Sequence, residues 1–158
     1  MSGSPDFISL RERCIEYLND RKYISLATAL QNEVRSRIVD YVNDGISIGF
    51  ISWENTVKMT HLSKNPRVSL SVDALQIEGT AKILGHPNSA ANKAFMDLYE
   101  KRHPSPYKNF ISLQNSVLIM VEPTLLILMT FEQDHLWLDH LDVSKHKAFR
   151  KELSPWTR

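Results

Sequence analysis

The stretch from Tyr23 to Val72 most constrains the fold, because short segments with strand periodicity follow one another there with a single helical interruption. Apolar and polar residues alternate in these segments, as in strands with one buried face. Asn43-Asp44-Gly45 separates two of them, and an Asp-Gly pair tolerates the positive φ angles of a type I′ hairpin turn. Five or six sequential short strands predict an antiparallel barrel rather than an alternating β-α-β fold.

Helices are predicted on either side of this barrel. Helical spacing of apolar residues predicts an N-terminal helix over 5–20 and another helix over 89–102. Ser144 and the basic residues after it predict a C-terminal helix over 143–153, with Trp156 beyond it docking on the barrel or on a second subunit. The barrel itself is assigned to residues 22–131. A chain of 158 residues suits one domain, 1–158, because it is short for two ordinary domains.

Cations and hydroxyl groups concentrate where two predicted strands and a helix meet. They are Arg35, Ser36 and Arg37 in the second strand, and Ser52, Thr56 and Lys58 at the end of the third strand and the start of the helix. Brought together by a hairpin, they supply three positive charges, three hydroxyls and the free N–H groups of a helix start. That combination suits a phosphate dianion.

A plainer interpretation treats the same cations as ordinary surface charges. In that case they pair with nearby carboxylates, namely Glu33, Asp40 and Glu54. The cluster alone does not decide between an ion-paired surface and a phosphate site. The order of the motifs along the chain favours the phosphate site.

Several short motifs follow one another along the chain, namely Arg37-Ile-Val39, Asp44-Gly45, Ile48-Gly-Phe50-Ile-Ser52, Thr56-Val-Lys58, Asn65-Pro66-Arg-Val68 and Ile77-Glu-Gly79. Their order and spacing resemble those of the FMN-binding split β-barrels related to pyridoxamine 5′-phosphate oxidase. The resemblance extends over residues 20–130. It implies a mainly β, six-stranded antiparallel split barrel with flanking helices.

The resemblance also implies a cofactor and an assembly. FMN is expected to bind in clefts at the subunit interface of a homodimer, where the partner chain covers the flavin ring. The expected cofactor-binding residues are Arg35, Ser36, Arg37, Ile38, Val39, Ile51, Ser52, Thr56, Val57 and Lys58. The flavin would carry the redox chemistry, so no catalytic side chain is predicted. The expected function is that of an oxidoreductase acting on an unidentified small molecule.

The C-terminal segment departs from the pattern of the true oxidases of this family. Those enzymes carry an arginine-rich segment that holds the substrate phosphate, and residues 136–158 contain no counterpart. Pyridoxine-phosphate oxidation is therefore not expected. Related barrels bind deazaflavin F420 or haem, and these cofactors remain alternatives, as does a flavin-carrying or sensing protein without turnover.

Other motifs in the chain favour structural roles. Gly45-Ile-Ser47-Ile-Gly49 matches the nucleophile elbow of serine hydrolases, but the strand alternation continues through it, so no sharp turn into a helix follows. Cys14 lies in a helical pattern and is expected to be a small buried hydrophobe. A group rich in Asp and His, over residues 134–142, is expected to form a solvated turn rather than a metal site.

Charge and hydropathy limit the remaining function classes. The net charge of +1 provides no field that would attract nucleic acid or a membrane surface. The basic residues near the C-terminus lack interleaved aromatics, so they are expected to form a solvated face. The longest apolar runs are interrupted by Glu122 and Pro123, and no leader-like segment occurs at the N-terminus. Neither nucleic acid nor a membrane is expected as a partner, and a cytoplasmic location is predicted.

Overall fold

A computed structural model of the chain describes residues 3–153 and confirms a mainly antiparallel β architecture with flanking helices. The described strands are β1 (Tyr23–Leu30), β2 (Glu33–Asp40), β3 (Val42–Asp44), β4 (Ser47–Trp53), β5 (Arg67–Val72), β6 (Leu75–Ile83), β7 (Ser116–Glu132), β8 (His135–Asp142) and β9 (Lys147–Leu153). The described α-helices are α1 (Phe7–Asn19), α2 (Val57–Lys64), α3 (Lys93–Arg102) and α4 (Pro104–Phe110).

The strands form one antiparallel sheet in the order β2-β1-β5-β6-β7-β4-β3, and β8 and β9 extend it from the second half of β7. The predicted count of six strands is therefore wrong, since nine strands are described. The predicted second strand stops at Asp40, and β3 then pairs with β4 instead of continuing along β1. Pro123 does not divide β7, because a register shift between Glu78 and Gly79 of β6 absorbs the irregularity.

Gly79 of β6 marks a close approach to the backbone of β7. A Cβ atom at this position would lie 2.7 Å from the carbonyl oxygen of Glu122 in β7. Any side chain would push the two strands apart, so glycine is required at this crossing.

The C-terminal helix predicted over 143–153 is wrong, because residues 147–153 form strand β9 along β8. A single short helix gains little without a packing partner, whereas the edge of β8 offers a complete ladder of hydrogen bonds. Side-chain pairs add to the ladder. Arg150 Nε donates to Asp139 Oδ1 at 2.6 Å, and the Phe149 ring stacks on His140 at 4.6 Å. Trp156 lies outside the described residues.

The main core lies between the sheet and α1, which begins and ends close to its predicted limits. Asp6 caps the helix by accepting a hydrogen bond from the backbone N–H of Ser9 at 3.0 Å. Leu10, Cys14 and Leu18 recur on one face of α1 and are buried against the sheet. No helix within residues 3–153 has both the length and the apolar character needed to span a membrane.

A second apolar cluster fixes α3 and α4 against β4 and β7. Phe95 of α3 packs directly over Gly49 of β4, where no side chain intervenes. His103 joins α3 to α4, which begins at Pro104. Proline suits the first turn of a helix, because its missing N–H has no intrahelical partner there. This helix carries Phe110 toward the end of β4.

Candidate functional site

The sheet is split between β2 and β4. These strands contact each other but form no ladder, and β2 pairs along one edge only, with β1. Strand β4 pairs with β3 only through residues 47–49, so residues 50–53 have one unpaired edge among the described strands. Two strand edges with free backbone N–H and C=O groups therefore face the same gap, and such groups can bind a polar ligand.

A cleft of about 200 Å³ opens at this gap. Its described lining comes from the two split strands, from the first turn of α2 and from the end of α4, and consists of Ile38, Val39, Asp40, Ile51, Ser52, Trp53, Lys58 and Phe110. The aliphatic and aromatic side chains provide an apolar surface, and Lys58 provides a positive charge beside it. A planar apolar molecule that carries an anionic group matches this distribution.

Of the three cations expected at the site, Arg35 has an ion pair, whereas Lys58 and Arg37 have none among the described residues. No carboxylate within residues 3–153 forms an ion pair with either of them. Burial, together with the positive charge of Arg37, lowers the pKa of Lys58. Burial and the neighbouring Arg35 lower the pKa of Arg37. Two partly buried cations without a counter-ion form a site that an anion would stabilise.

Arg37 does not itself line the cleft, and two hydrogen bonds to β1 hold its guanidinium group in place. Its Nη1 donates to the carbonyl oxygen of Leu26 at 3.2 Å and to the Thr28 hydroxyl at 2.8 Å. These contacts leave the other guanidinium N–H groups available, because arginine carries five donors.

Arg35 and Ser36 take other positions. Arg35 is exposed, and its Nε lies 2.5 Å from the Glu33 carboxylate, as the plainer interpretation of the cations required. Ser36 is exposed and is not among the residues that line the cleft, and its hydroxyl lies 2.8 Å from the Ser25 hydroxyl. The structure therefore does not bring these two residues to the cleft.

The start of α2 contributes hydroxyl and N–H groups at the charged end of the cleft. Ser52 is buried, and its hydroxyl lies 3.3 Å from the hydroxyl of Thr56, the N-cap residue. Thr56 donates to the carbonyl oxygen of Trp53 at 2.9 Å and makes no side-chain cap hydrogen bond to the helix. The first N–H groups of α2, at Val57 and Lys58, have no intrahelical partner and remain available to an anion.

Half of the residues expected at the site line the cleft, namely Ile38, Val39, Ile51, Ser52 and Lys58. Arg37, Thr56 and Val57 lie at its margin on the same elements. Sequence reasoning missed three lining residues, Asp40, Trp53 and Phe110. Asp40 and Trp53 directly follow predicted site residues on their strands and could have been included. Phe110 could not, because its segment carried no helical periodicity.

Trp53 and Phe110 form an aromatic wall at one side of the cleft. Their ring centroids lie 5.5 Å apart with an interplanar angle of 72°, the edge-to-face arrangement that aromatic pairs prefer. Asp40, also in the lining, is fixed by a hydrogen bond that it accepts from the Tyr99 hydroxyl at 2.7 Å. Burial and this hydrogen bond raise the pKa of Tyr99, so the phenol stays protonated as the donor.

The remaining sequence motifs have structural partners. Ser47 lies in strand β4, and no helix directly follows it as a nucleophile elbow requires. Its hydroxyl donates to Glu122 Oε2 of β7 at 2.7 Å. Burial raises the pKa of the Cys14 thiol to about 12, which makes it a poor nucleophile. Asp139 accepts hydrogen bonds from Arg13 and Arg150. Within residues 3–153, no three metal-ligating side chains come together.

Comparison with known structures shows the fold in other proteins. HutZ, the heme storage protein from Vibrio cholerae, aligns with a TM-score of 0.66 and 16% identity, over 83% of this chain and 100% of that chain. A pyridoxamine 5′-phosphate oxidase-related, FMN binding protein from Nostoc punctiforme aligns with a TM-score of 0.60 and 14% identity, over 94% and 95% of the two chains.

A third structure, Campylobacter jejuni ChuZ, aligns with a TM-score of 0.76 and 14% identity, over 98% of this chain and 67% of that chain. A comparison with curated proteins gave no significant match. The family model described as pyridoxamine 5′-phosphate oxidase matches residues 10–132, which include every strand from β1 to β7 and the whole cleft. Because this match covers well over half of the sequence, the chain belongs to the pyridoxamine 5′-phosphate oxidase family.

Proposed function

We propose that this protein is a flavoprotein that binds FMN in the cleft between β2, β4 and the start of α2. The observation that carries the proposal is the pair of partly buried cations, Lys58 and Arg37, which lack a carboxylate partner in the described part of the chain. A phosphate group supplies the missing negative charge. The apolar cleft beside the cations suits a planar ring system.

Each group at the cleft has a part in this proposal. Lys58, Arg37 and the first N–H groups of α2 hold the phosphate, and the Ser52 and Thr56 hydroxyls add donors. The unpaired edges of β2 and β4 offer hydrogen bonds to the polar edge of the ring. Val39 and Ile51 exclude water from its apolar part. FMN, when bound, supplies the redox chemistry that protein side chains lack.

We further propose that a second copy of the chain completes the site. The cleft of about 200 Å³ is smaller than the roughly 300–1,000 Å³ of typical ligand sites. Exposed apolar side chains surround it, with Ile38 74%, Trp53 40% and Val57 43% exposed. A homodimer with two-fold symmetry would bury these side chains, enlarge each cleft and give two equivalent sites.

The cleft favours a flavin over haem. Haem iron is held by side chains such as histidine, cysteine, methionine or tyrosine, and none of these residue types is among the described cleft residues. Met59 and His61 of α2 are the residues of these types nearest along the chain to Lys58. Both are buried, and His61 Nδ1 already lies 3.0 Å from the Thr28 hydroxyl.

The proposed reaction is electron transfer to a small-molecule acceptor, and pyridoxine phosphate is not proposed as the substrate. Arg150 is the single arginine in residues 136–153, and it pairs with Asp139 and Glu132 rather than facing the cleft. No arginine of the described C-terminal strands is therefore free to hold a second phosphate. In this proposal other groups recognise the substrate, and the candidates that line the cleft are Asp40 and the aromatic wall of Trp53 and Phe110.

Absorption spectra of the purified protein test the cofactor. A flavin band at about 450 nm, released as FMN on denaturation, supports the proposal. A Soret band would overturn it in favour of haem, and a band shifted to shorter wavelength would indicate F420. Anaerobic stopped-flow reduction with NADH and NADPH then tests turnover. Bleaching followed by reoxidation by an added acceptor supports an oxidoreductase, whereas flavin that no donor reduces indicates a carrier or sensor.

A further inference from the structure

Two buried polar side chains, Thr28 and His61, connect α2 to the partly buried Arg37 of the proposed phosphate site. Thr28 in β1 and His61 in α2 are 1% and 2% exposed, and their Oγ1 and Nδ1 atoms lie 3.0 Å apart. The Thr28 hydroxyl also receives the 2.8 Å hydrogen bond from Arg37 Nη1. Burying polar groups is unfavourable unless each finds a partner. The side chains Arg37, Thr28 and His61 satisfy one another and are called the Arg–Thr–His chain below.

The hydrogen bond between Arg37 and Thr28 has a fixed direction, because a guanidinium group only donates and the Thr28 oxygen therefore accepts. The direction of the contact between Thr28 and His61 Nδ1 is set by the tautomer of the histidine, since a hydroxyl can both donate and accept. With the ring proton on Nε2, which lies 3.9 Å from the Glu33 carboxylate, the Thr28 hydroxyl donates to Nδ1. His61 thereby orients the Thr28 hydroxyl with its lone pairs toward Arg37.

Arg37 needs this restraint because its neighbours repel it. Lys58 approaches from α2 and Arg35 from two residues earlier in β2, and both carry positive charge. The two carboxylates of β2 already have other partners, since Glu33 pairs with Arg35 at 2.5 Å and Asp40 accepts a hydrogen bond from the Tyr99 hydroxyl. A long, partly exposed side chain in such a position would turn toward solvent. Within the described contacts, the acceptors that oppose this movement are the Leu26 carbonyl and the Thr28 hydroxyl.

We infer that His61 is a positioning residue, which acts through the Thr28 hydroxyl to hold Arg37 beside Lys58 and so sets the affinity of the site for a phosphate group. The inference rests on the proposed function. His61 follows Lys58 by three residues, one helical turn, so one helix supplies a phosphate ligand at its start and the restraint on the second ligand further along. The two cations are thus positioned by a single element.

Flavin titrations of four variants test the Arg–Thr–His chain. Thr28→Val keeps the shape of the side chain and removes the hydroxyl, and Thr28→Ser keeps the hydroxyl. His61→Leu removes the acceptor, and His61→Asn retains an amide oxygen near the position of Nδ1. We expect Thr28→Val and His61→Leu to weaken FMN roughly tenfold, because Arg37 loses its orientation. Riboflavin affinity should stay within about twofold, since riboflavin carries no phosphate.

The conservative variants separate positioning from core packing. Thr28→Ser and His61→Asn should keep most of the wild-type preference for FMN over riboflavin, and the ³¹P signal of bound FMN should remain at its wild-type position. In Thr28→Val and His61→Leu that signal should move toward free FMN. If the disruptive variants weaken both flavins equally, or if the conservative variants lose as much preference as the disruptive ones, the positioning role is overturned.

A measurement without flavin distinguishes failure of this inference from failure of the proposed function. Equal affinity of the wild type for FMN and riboflavin would remove the phosphate assignment. The Arg–Thr–His chain can still be tested by ¹⁵N NMR of the Arg37 guanidinium in the flavin-free protein, with Arg37→Lys used for assignment. Slow hydrogen exchange in the wild type and Thr28→Ser, lost in Thr28→Val, supports the chain. Fast exchange in the wild type overturns it.

Discussion

The Lys58 ammonium group lies close enough to the Arg37 guanidinium for the two positive charges to repel each other. The cations belong to different elements, α2 and β2, and neither has a carboxylate partner among residues 3–153. Such an arrangement lowers the stability of the ligand-free protein, because partly buried like charges are unfavourable. A bound anion would attract both cations and so would raise the stability of the folded protein. Local destabilisation of this kind is typical of binding sites rather than of structural ion pairs.

Replacement of Lys58 by alanine should weaken FMN by roughly ten- to hundredfold, because a charge-assisted hydrogen bond contributes about 1.5–3 kcal/mol. Riboflavin affinity should change little. The matched control is Lys64→Ala at the other end of the same helix, where the side chain is exposed. Isothermal titration calorimetry with both flavins measures the effect. If Lys58→Ala and Lys64→Ala lost equal FMN affinity, Lys58 would be an ordinary surface lysine and not a phosphate ligand.

FMN affinity should decline at alkaline pH below the ordinary pKa of lysine, 10.5, because burial and Arg37 lower the pKa of Lys58 in the free protein. Lysine is charged below its pKa, so binding above that pH requires uptake of a proton. At the acidic end, affinity should rise through about pH 6, where the phosphate becomes a dianion. Fluorescence titrations across this range should show a flatter alkaline limb for Lys58→Arg. An identical limb would assign the decline to another group.

The lowered pKa of Lys58 also predicts how the stability of the flavin-free protein depends on pH. In the alkaline range, FMN affinity should fall as the pH rises, whereas this stability should increase. The unfolded chain binds more protons than the folded chain between the lowered pKa and 10.5, so stability from Lys58 rises with pH in that window. Lys58→Met should therefore raise the denaturation midpoint of the flavin-free protein at neutral pH while weakening FMN. Urea unfolding measures this, with Lys64→Met as the control. A lower midpoint for Lys58→Met would show that its charge is not destabilising.

The proposed homodimer should depend on the apolar residues around the cleft. Ile38 is 74% exposed and lines the cleft, whereas Ile8 on α1 is 66% exposed and lies elsewhere. Ile38→Glu should therefore shift the protein to monomer in light scattering and lower FMN affinity, and Ile8→Glu should do neither. A wild-type monomer with full FMN occupancy would contradict a site completed by the partner chain. In the dimer, FMN at a hundredfold excess over Kd should add about 2.7 kcal/mol of stability.

Local signals were sufficient for much of the fold. The Asp44-Gly45 turn and the strand alternation around it predicted the β3-β4 hairpin, and α1 follows its apolar spacing. The failures concern segments whose conformation depends on a distant partner. Residues 147–153 carry basic residues that fit a helix, but the edge of β8 and the buried carboxylate of Asp139 select a strand. No spacing within the segment shows that partner.

The candidate site also has one part that the sequence predicted and one part that depends on distant contacts. The sequence order indicated that the second strand, the third strand and the helix start would meet, and Val39, Ser52 and Lys58 do line one cleft. It offered Glu33 as an ion-pair partner of the cations but could not show that Arg35 alone takes it, because that contact depends on rotamers at an exposed strand position. It also could not show Phe110, which reaches the cleft only because α3 and α4 dock on β4.

That docking depends on Gly49, since a methyl group at this position would overlap the Phe95 ring. Gly49→Ala should destabilise the protein by about 1–3 kcal/mol, the range for overpacking a buried contact. Phe95→Leu leaves room for the methyl group, so Gly49→Ala should cost less in that background. The two substitutions should therefore show a coupling of about 1–3 kcal/mol in a double-mutant cycle from urea unfolding. Gly3→Ala, where no atom lies within 4 Å, is the matched control.

The cycle also has a functional consequence, because α3 leads directly into α4 and the Phe110 side of the cleft. If Gly49→Ala displaces α3, the aromatic wall of Trp53 and Phe110 should move with it. Flavin fluorescence should then change in Gly49→Ala and return toward the wild-type value when Phe95→Leu is added. Additive unfolding energies, with no recovery of the fluorescence, would mean that α3 shifts freely over β4 and that the glycine contact does not determine the position of the wall.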